Sequence, residues 1–336
     1  MDIDIKGGSL AGNKGSHAEG IRTFAGHEAA HSEGYDTDAV GHASHAEGIQ
    51  TIAKGAYSHA EGSNTEALSE ASHAEGQYSV ADSRGAHAEG SYVADTNNNL
   101  VARTTKYYKN SPDGGVDVIV KGGTLAYNKG SHAEGIRTFA GHEAAHSEGI
   151  DTDAVGLASH AEGEHTVARG EKSHAEGYYT EAIGGAAHAE GSNTHAVADY
   201  SHTEGGYTKA AGDYSHAEGL RTYADANGSH AEGTAIDENG QDIKRTVVLP
   251  NDKTITVQGP NAWGRGAHAE GASTVAYGYA SHAEGRDTEA RANYAHSEGI
   301  NTIASGLASH AEGRDSVASG NYSHASGCGT KAIVPS

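Results

Sequence analysis

The sequence predicts an all-β protein, a parallel β-roll or β-solenoid made of 14-residue coils. Three observations support this fold class: a five-residue motif returns at a fixed interval, glycines hold fixed places within each interval, and small side chains stand where a core would lie. The motif reads Ser-His-Ala-Glu-Gly and is first complete at residues 16–20. A short unit repeated in strict register is typical of a solenoid, in which each unit stacks on its neighbours.

The motif histidine recurs every 14 residues in three runs. A catalytic constellation occurs once in a protein, so nineteen regular copies indicate a structural repeat. Their fixed phase also argues against disorder, which a polar, glycine-rich composition would otherwise suggest. The histidines are His17, His31, His45, His59, His73 and His87, then His132, His146, His160, His174, His188, His202, His216 and His230, then His268, His282, His296, His310 and His324.

The composition excludes several classes of protein. The 336 residues include 48 glycines but only two phenylalanines and one tryptophan, so a core of large side chains is not available. A formal charge of −22 disfavours binding to nucleic acid and adsorption to an anionic membrane. Cys328 is the single cysteine, which rules out an intrachain disulfide. We expect no membrane span and no signal peptide, because the chain shows no long apolar run and no basic start.

Two interruptions of the repeat divide the sequence into three predicted modules. Residues 1–90 hold an N-terminal β element and the first repeat array, residues 91–233 a β insert and the second array, and residues 234–336 a β insert and the third array. Alternating or β-branched stretches predict strands outside the arrays, and clusters of Asn, Pro and Gly predict turns. The predicted strands lie within residues 1–8 and at residues 92–94, 100–101, 107–108, 116–120, 245–249 and 254–257, and the predicted turns at residues 97–99, 111–115, 237–240 and 250–252.

A duplication of 115 residues is superimposed on the short period. Residues 2–8, Asp-Ile-Asp-Ile-Lys-Gly-Gly, return as residues 117–123, Asp-Val-Ile-Val-Lys-Gly-Gly. The match continues from residue 130 through residue 163. The first β insert therefore ends in a strand that resembles the start of the chain.

Alternation along a strand predicts which side chains face inward. In the coil of residues 44–57, Ser44 and Ala46 share one face of the first strand, and His45 and Glu47 share the other. In the second half of the coil a threonine and an alanine likewise share a face. These small residues are predicted to fill a narrow interior, with glycines at tight corners that require left-handed dihedral angles.

The two outward faces differ in their variability. The second-strand face changes from coil to coil, as a solvated face does, whereas the first-strand face is His and Glu almost throughout. This constancy indicates a regular partner, and the simplest regular partner is another copy of the chain. Association would also add burial to an interior of alanine and serine, which buries little apolar area.

The pattern Ser-x-Ala-x-Gly-x-x-Thr-x-Ala-x-Gly-x-x resembles the head repeat of trimeric autotransporter adhesins, the YadA-like left-handed parallel β-roll. The resemblance extends over the three arrays, and it implies a homotrimer that serves in surface attachment, with first-strand residues packed toward the threefold axis. The Ser-His-Ala-Glu-Gly form is also similar to repeats in fibres of phage tails and contractile injection systems. The adhesin family tends to have aliphatic residues where this chain has His45 and Glu47, so a trimer would have a polar interior ladder here.

The resemblance therefore implies a structural ladder along the trimer axis. We expect its members to be His17, Glu19, His31, Glu33, His45, Glu47, His59, Glu61, His73, Glu75, His132, Glu134, His160, Glu162, His174, Glu176, His216, Glu218, His282, Glu284, His310 and Glu312. In one interpretation each His donates a ring N–H to a Glu of a neighbouring chain or coil. In a second, three His around the axis hold a metal or an anion, and in a third the face is solvated.

The sign of a pH effect stays open at this point. Pairing with Glu raises a histidine pKa, while crowding and desolvation lower it.

The function expected from these observations is that of a non-enzymatic, homotrimeric fibre or head module for surface attachment or receptor binding. It would be extracellular, on a cell surface or on a virion tail fibre, and its partners would be other copies of itself and a host-surface receptor or carbohydrate. No cofactor is expected, apart from an adventitious metal or anion on the axis. The alternative is a metal- or ion-binding solenoid that uses the His and Glu columns, and a polysaccharide depolymerase would need an isolated carboxylate pair in a cleft.

Overall fold

The computed structural model describes residues 8–92, 103–107, 116–120, 123–237, 239–248 and 254–333. All regular structure within these ranges is β, as predicted. No helix that could cross a membrane is found among the described residues. The elements predicted within residues 1–7, 93–101, 108–115 and 249–253 lie outside the described residues.

The chain divides into two compact units, Met1–Ala175 and Glu176–Ser336. Each unit is a parallel β-solenoid in which equivalent residues of successive 14-residue coils pair in register, as His17 does with His31. The inserts do not break this register, because His87 pairs with His132. The predicted division into three modules at residues 90 and 233 stays a prediction.

Each coil of the first unit contains a long strand followed by a two-residue strand. The long strands are His17–Ile21, His31–Tyr35, His45–Ile49, His59–Ser63, His73–Gly76, His87–Ser91, His132–Ile136, His146–Ile150 and His160–Glu164. The short strands are Leu10–Ala11, Phe24–Ala25, Asp38–Ala39, Ile52–Ala53, Glu66–Ala67, Val80–Ala81, Leu125–Ala126, Phe139–Ala140, Asp153–Ala154 and Val167–Ala168. The strand His174–Tyr178 includes the boundary between the units.

The second unit has the same pattern of strands. Its strands that begin at a motif histidine are His188–Ser192, His202–Thr203, His216–Gly219, His230–Thr234, His268–Ala272, His282–Arg286, His296–Ile300, His310–Arg314 and His324–Cys328. Its other two-residue strands are Glu181–Ala182, His195–Ala196, Lys209–Ala210, Tyr223–Ala224, Asn261–Ala262, Val275–Ala276, Glu289–Ala290, Ile303–Ala304, Val317–Ala318 and Lys331–Ala332.

The interior of each coil is filled by small side chains, as the alternation predicts. Ala46, Thr51 and Ala53 are 0% exposed, and Ser44 is 1% exposed. The Ser44 hydroxyl donates to the carbonyl of Gly41 at 2.8 Å, which satisfies a buried polar group at the corner. The same arrangement recurs in the other coils, so two strands per turn enclose a core only a few atoms wide.

The placement of the glycines corrects a prediction. The left-handed corners are held mainly by other residues, such as Gln50 at φ 55° and Tyr57 at φ 58°. Backbone hydrogen bonds between coils stabilise them, and the Tyr57 N–H donates to the carbonyl of His42 at 2.8 Å. The motif glycine lies inside or beside the long strand instead: Gly48 has φ 116°, and a Cβ there would overlap the carbonyl of Gly62 in the next coil.

Each insert contributes an antiparallel strand pair to its unit. In the first unit Arg103–Tyr107 pairs with Val116–Val120, and in the second Arg245–Val248 pairs with Thr254–Val257. The structure confirms the predicted strands at residues 116–120 and 254–257 and the predicted turn near Gly240. The strand Arg103–Tyr107 overlaps the strand predicted at residues 107–108 only at Tyr107.

Candidate binding face of stacked histidine and glutamate

The motif His and Glu side chains project from the same side of the long strands, on a surface named here the His/Glu face. Ala46 is fully buried, and side chains alternate along a strand, so His45 and Glu47 on either side of it project outward. The predicted ladder residues occupy equivalent first and third positions of the long strands throughout both units. Their expected place on a trimer axis stays a prediction.

The imidazoles of this face form a continuous stack within each unit. In the first unit, neighbouring ring centroids from His17 to His174 lie 4.6–4.9 Å apart. In the second unit the spacing from His188 to His324 is 4.6–4.8 Å. This spacing matches the distance between hydrogen-bonded strands, so the parallel sheet itself sets the ring separation.

Most motif histidines lie beside a glutamate of their own chain without forming a close hydrogen bond. The Nε2 atom of His45 is 3.7 Å from Oε2 of Glu47, and that of His59 is 3.6 Å from Glu61. The Nε2 atoms of His45, His59 and His73 are buried and have no hydrogen-bond partner among the described residues. A His–Glu hydrogen bond between chains therefore stays a prediction, while the pairs within a coil are loose contacts.

Burial and crowding determine the charge state of the imidazoles. Desolvation first, and then the neighbouring imidazole of His73, lower the pKa of His59, and nearby glutamates raise it less. Desolvation and neighbouring imidazoles likewise lower the pKa of His268 to about 4. In the single chain, desolvation and crowding therefore outweigh pairing at these two histidines. The other histidines whose pKa is lowered are His45, His87, His146, His202, His216 and His296.

Three glutamates of the face, Glu75, Glu190 and Glu298, show the opposite shift. Burial raises the pKa of Glu75 to about 7, with additional contributions from hydrogen bonding and repulsion involving Glu89 and Glu61. In the second unit a side-chain hydrogen bond with Glu204, followed by burial, raises the pKa of Glu190 to about 7. Burial and close carboxyl neighbours thus favour the protonated form of Glu75 and Glu190 near neutral pH.

Successive coils bring together groups that could ligate a metal ion. The ligand atoms of His73, Glu75 and His87 lie within 4.8 Å of one another, as do those of His216, Glu218 and His230. Imidazole and carboxylate suit zinc, but bonds of about 2.0–2.1 Å hold two tetrahedral ligands roughly 3.4 Å apart. Side-chain rotation would therefore have to precede zinc binding between stacked rings.

The opposite, short-strand face carries the two inserts, and sequence reasoning did not identify this role. Val120 of the first insert forms a buried cluster with Phe139 and Val155. In the second unit, Val247, Val257 and Val275 form a similar cluster against Trp263 and Tyr277. The sequence did contain a signal for this contact. Large apolar residues such as Phe139 and Val275 stand at short-strand positions that are polar in other coils.

A polar clamp fixes the second insert to its coils. The Arg245 guanidinium donates to Oε1 of Glu289 at 2.6 Å and to the carbonyl of Ser273 at 3.0 Å. The Glu289 side chain is only 5% exposed, and its other oxygen accepts from Arg291 at 2.6 Å. Charge-assisted hydrogen bonds of this kind hold the strand pair in one position on the solenoid.

The fold and its polar columns define a class of tandem-repeat β-solenoid protein. Residues 297–323 match the YadA head domain repeat family in two copies. The YadA-like head repeat inferred from the motif spacing is thereby confirmed for these coils, and the remaining arrays continue the same period. The solenoid and this repeat fit an adhesin-type fibre module. The search of curated proteins found no match.

Proposed function

We propose that this chain is a non-enzymatic module of a homotrimeric adhesive fibre whose three His/Glu faces meet along the threefold axis. The observation that carries the proposal is the pair of outward columns in each unit, one of imidazole and one of carboxyl, in which Ser326 of the last coil is the exception. A surface in contact only with water has no reason to keep two side-chain types constant while the short-strand face varies. The trimer is also what the similarity to YadA head repeats implies.

The electrostatics of the single chain support an association of this kind. Stacked carboxyl groups repel one another, and buried Nε2 atoms such as that of His73 have no hydrogen-bond partner among the described residues. A neighbouring chain can offer imidazole to carboxylate after a small side-chain rotation, which would relieve both costs. Because the side chains of His73 and His230 are about one-third exposed, such rotation needs no change in the backbone.

The exposed short-strand face and corners would then carry attachment to a receptor. Tyrosines such as Tyr57, Tyr214 and Tyr322 are 61%, 68% and 76% exposed at left-handed corners. Exposed aromatic rings with a hydroxyl group suit contacts with a host-surface receptor or carbohydrate. The proposed location is accordingly extracellular, on a cell surface or on a virion tail fibre.

The oligomeric state tests this proposal directly. Light scattering of the purified chain should give three times the chain mass of 34.3 kDa. Glu61→Arg together with Glu75→Arg adds two long cations to the His/Glu face and should lower the measured mass, whereas Glu66→Arg on the short-strand face should not. A wild-type monomer, or a trimer unaffected by the His/Glu face variant, would contradict the proposed axis.

Ion binding is a second candidate, favoured by the His-Glu-His triplets. If those triplets bind zinc, added zinc should raise the melting temperature, and a chelator should reverse the effect. His73→Asn with His87→Asn should reduce the zinc-dependent increase, whereas His27→Asn at an exposed corner should leave it intact. A melting temperature unchanged by zinc would leave the structural role of the columns as the preferred explanation.

A further inference from the structure

The long duplication places one sequence in two environments within the first unit. Residues 21–34 are identical to residues 136–149. The phenylalanine ring is placed alike in both copies, since a Cβ on Gly26 would lie 2.5 Å from Cε1 of Phe24 and one on Gly141 would lie 2.5 Å from Cε1 of Phe139. The two copies fold alike, so a difference in the exposure of equivalent side chains reflects a difference in the segment that packs over each copy.

The second copy is covered by the insert strand Val116–Val120. Val120 is 1% exposed and clusters with Phe139 at 0% and Val155 at 2%, with Val118 packed against them. The ion pair of Arg137 with Asp151 is also covered, with side chains 19% and 8% exposed.

The first copy presents the same residues without that cover. Phe24 is only partly buried, and Leu10 and Val40, which match Leu125 and Val155, are 38% and 39% exposed. The ion pair of Arg22 with Asp36 is intact but has side chains 41% and 36% exposed. Leu10, Phe24 and Val40 thus form a preformed apolar platform whose equivalent in the second copy holds a β-strand.

The chain contains a segment that matches the missing cover. Residues 2–6, Asp-Ile-Asp-Ile-Lys, correspond to residues 117–121, Asp-Val-Ile-Val-Lys, and lie outside the described residues. Ile3 and Ile5 correspond to Val118 and Val120, the two residues that pack on the second copy. The tether is equally long in both copies, because residue 6 precedes Leu10 by as many residues as residue 121 precedes Leu125.

We propose that the platform of Leu10, Phe24 and Val40 is a strand-docking site and that its occupant is the segment of residues 2–6 of the same chain. Ile3 and Ile5 face the platform, and Asp2 and Asp4 alternate to the other side. The occupied platform repeats the packing of Val118 and Val120 on Phe139 and Val155.

Paired cysteines test the occupant. In a Cys328→Ser background, Ile5→Cys with Val40→Cys should form a disulfide within one chain, as the matched control Val120→Cys with Val155→Cys should in the second copy. Asp4→Cys with Val40→Cys should give less than a tenth of that yield, because alternation turns residue 4 away. A control disulfide without the Ile5 pair, or a disulfide joining two chains, would overturn the assignment.

Fluorescence provides a measurement that does not depend on disulfide geometry. Phe24→Trp and Phe139→Trp are compared in a Trp263→Phe background, each with and without residues 2–6. Deletion should shift the emission of the Phe24→Trp variant to longer wavelength at every protein concentration and leave that of the Phe139→Trp variant unchanged. Emission of the Phe24→Trp variant that does not respond to the deletion, or that shifts to shorter wavelength as chain concentration rises, would overturn the proposal.

Discussion

The imidazoles of His73 and His87 lie parallel, with ring centroids 4.8 Å apart and an interplanar angle of 0°. Both residues begin long strands that pair in register, so the backbone hydrogen bonds of the sheet fix this contact. Two neutral imidazoles are stable at that distance, whereas two adjacent protonated imidazoles repel each other. The pH response of the protein should follow from this relationship.

Acid should destabilise the fold through the histidine column. The pKa of His268 is lowered to about 4 by burial and by His230 and His282, against the opposing carboxylates of Glu284 and Glu218. Because the unfolded chain binds this proton more readily, the contribution of neutral His268 to stability is full above the unfolded pKa of about 6.5. It is lost as pH falls toward about 4. The melting temperature should decrease over that window. His268→Gln should reduce the decrease, whereas His27→Gln at an exposed corner should not; equal pH profiles for all three proteins would contradict this.

The glutamate column should have the opposite effect near neutral pH. The pKa of Glu190, between Glu176 and Glu204, is raised to about 7. The contribution of the protonated Glu190 carboxyl to stability is full below about pH 4.5 and is lost as pH rises through about 7. Glu190→Gln should therefore melt higher relative to wild type at pH 8 than at pH 5, and Glu28→Gln at an exposed corner provides the control. A constant difference at both pH values would show that the pKa of Glu190 is not raised.

Adjacent glycines should differ sharply in their tolerance of alanine. Gly205 has φ 94°, and a Cβ there would overlap the carbonyl of Gly219 in the next coil. At Gly206 the same atom would meet only the flexible end of Leu220, at 3.2 Å. Gly205→Ala should cost more than about 3 kcal/mol of unfolding free energy and Gly206→Ala less than about 1 kcal/mol. Denaturant unfolding measures both, and equal losses would refute the explanation.

The clamp on the second insert should be energetically significant. Arg245→Ala removes hydrogen bonds to Glu289 and Ser273 and leaves the buried Glu289 carboxylate with Arg291 alone. We expect a loss of about 2 kcal/mol, as for other charge-assisted hydrogen bonds, whereas Arg265→Ala at an exposed position should change little. Thermal unfolding compares the two variants; an unaffected Arg245→Ala protein would show that the strand pair is held by its valines alone.

The fold could be predicted because one period fixes both the coil and its interior. Once alternation assigns Ala46 inward, His45 and Glu47 must face outward. The corners could not be predicted in the same way, since Gln50 and Tyr57 reach left-handed angles only with the help of hydrogen bonds from neighbouring coils. These bonds become visible only when coils are stacked.

The electrostatics and the insert platforms depend on distances that sequence does not supply. Pairing raises a histidine pKa while burial and crowding lower it, and burial, the largest cause, decides the direction at His59. Phe24 and Phe139 have identical sequence neighbours, yet only Phe139 is fully buried. No local pattern can distinguish them, because the strand that covers Phe139 belongs to an insert.

Register also bears on how such a protein can evolve. His45 pairs with His59 as His31 pairs with His45, so removal of one complete turn brings like residues together again. Unequal recombination between repeats in the gene could therefore shorten or extend a unit in steps of about 4.8 Å. The length of a unit could therefore change while the surface chemistry of every remaining coil stays unchanged.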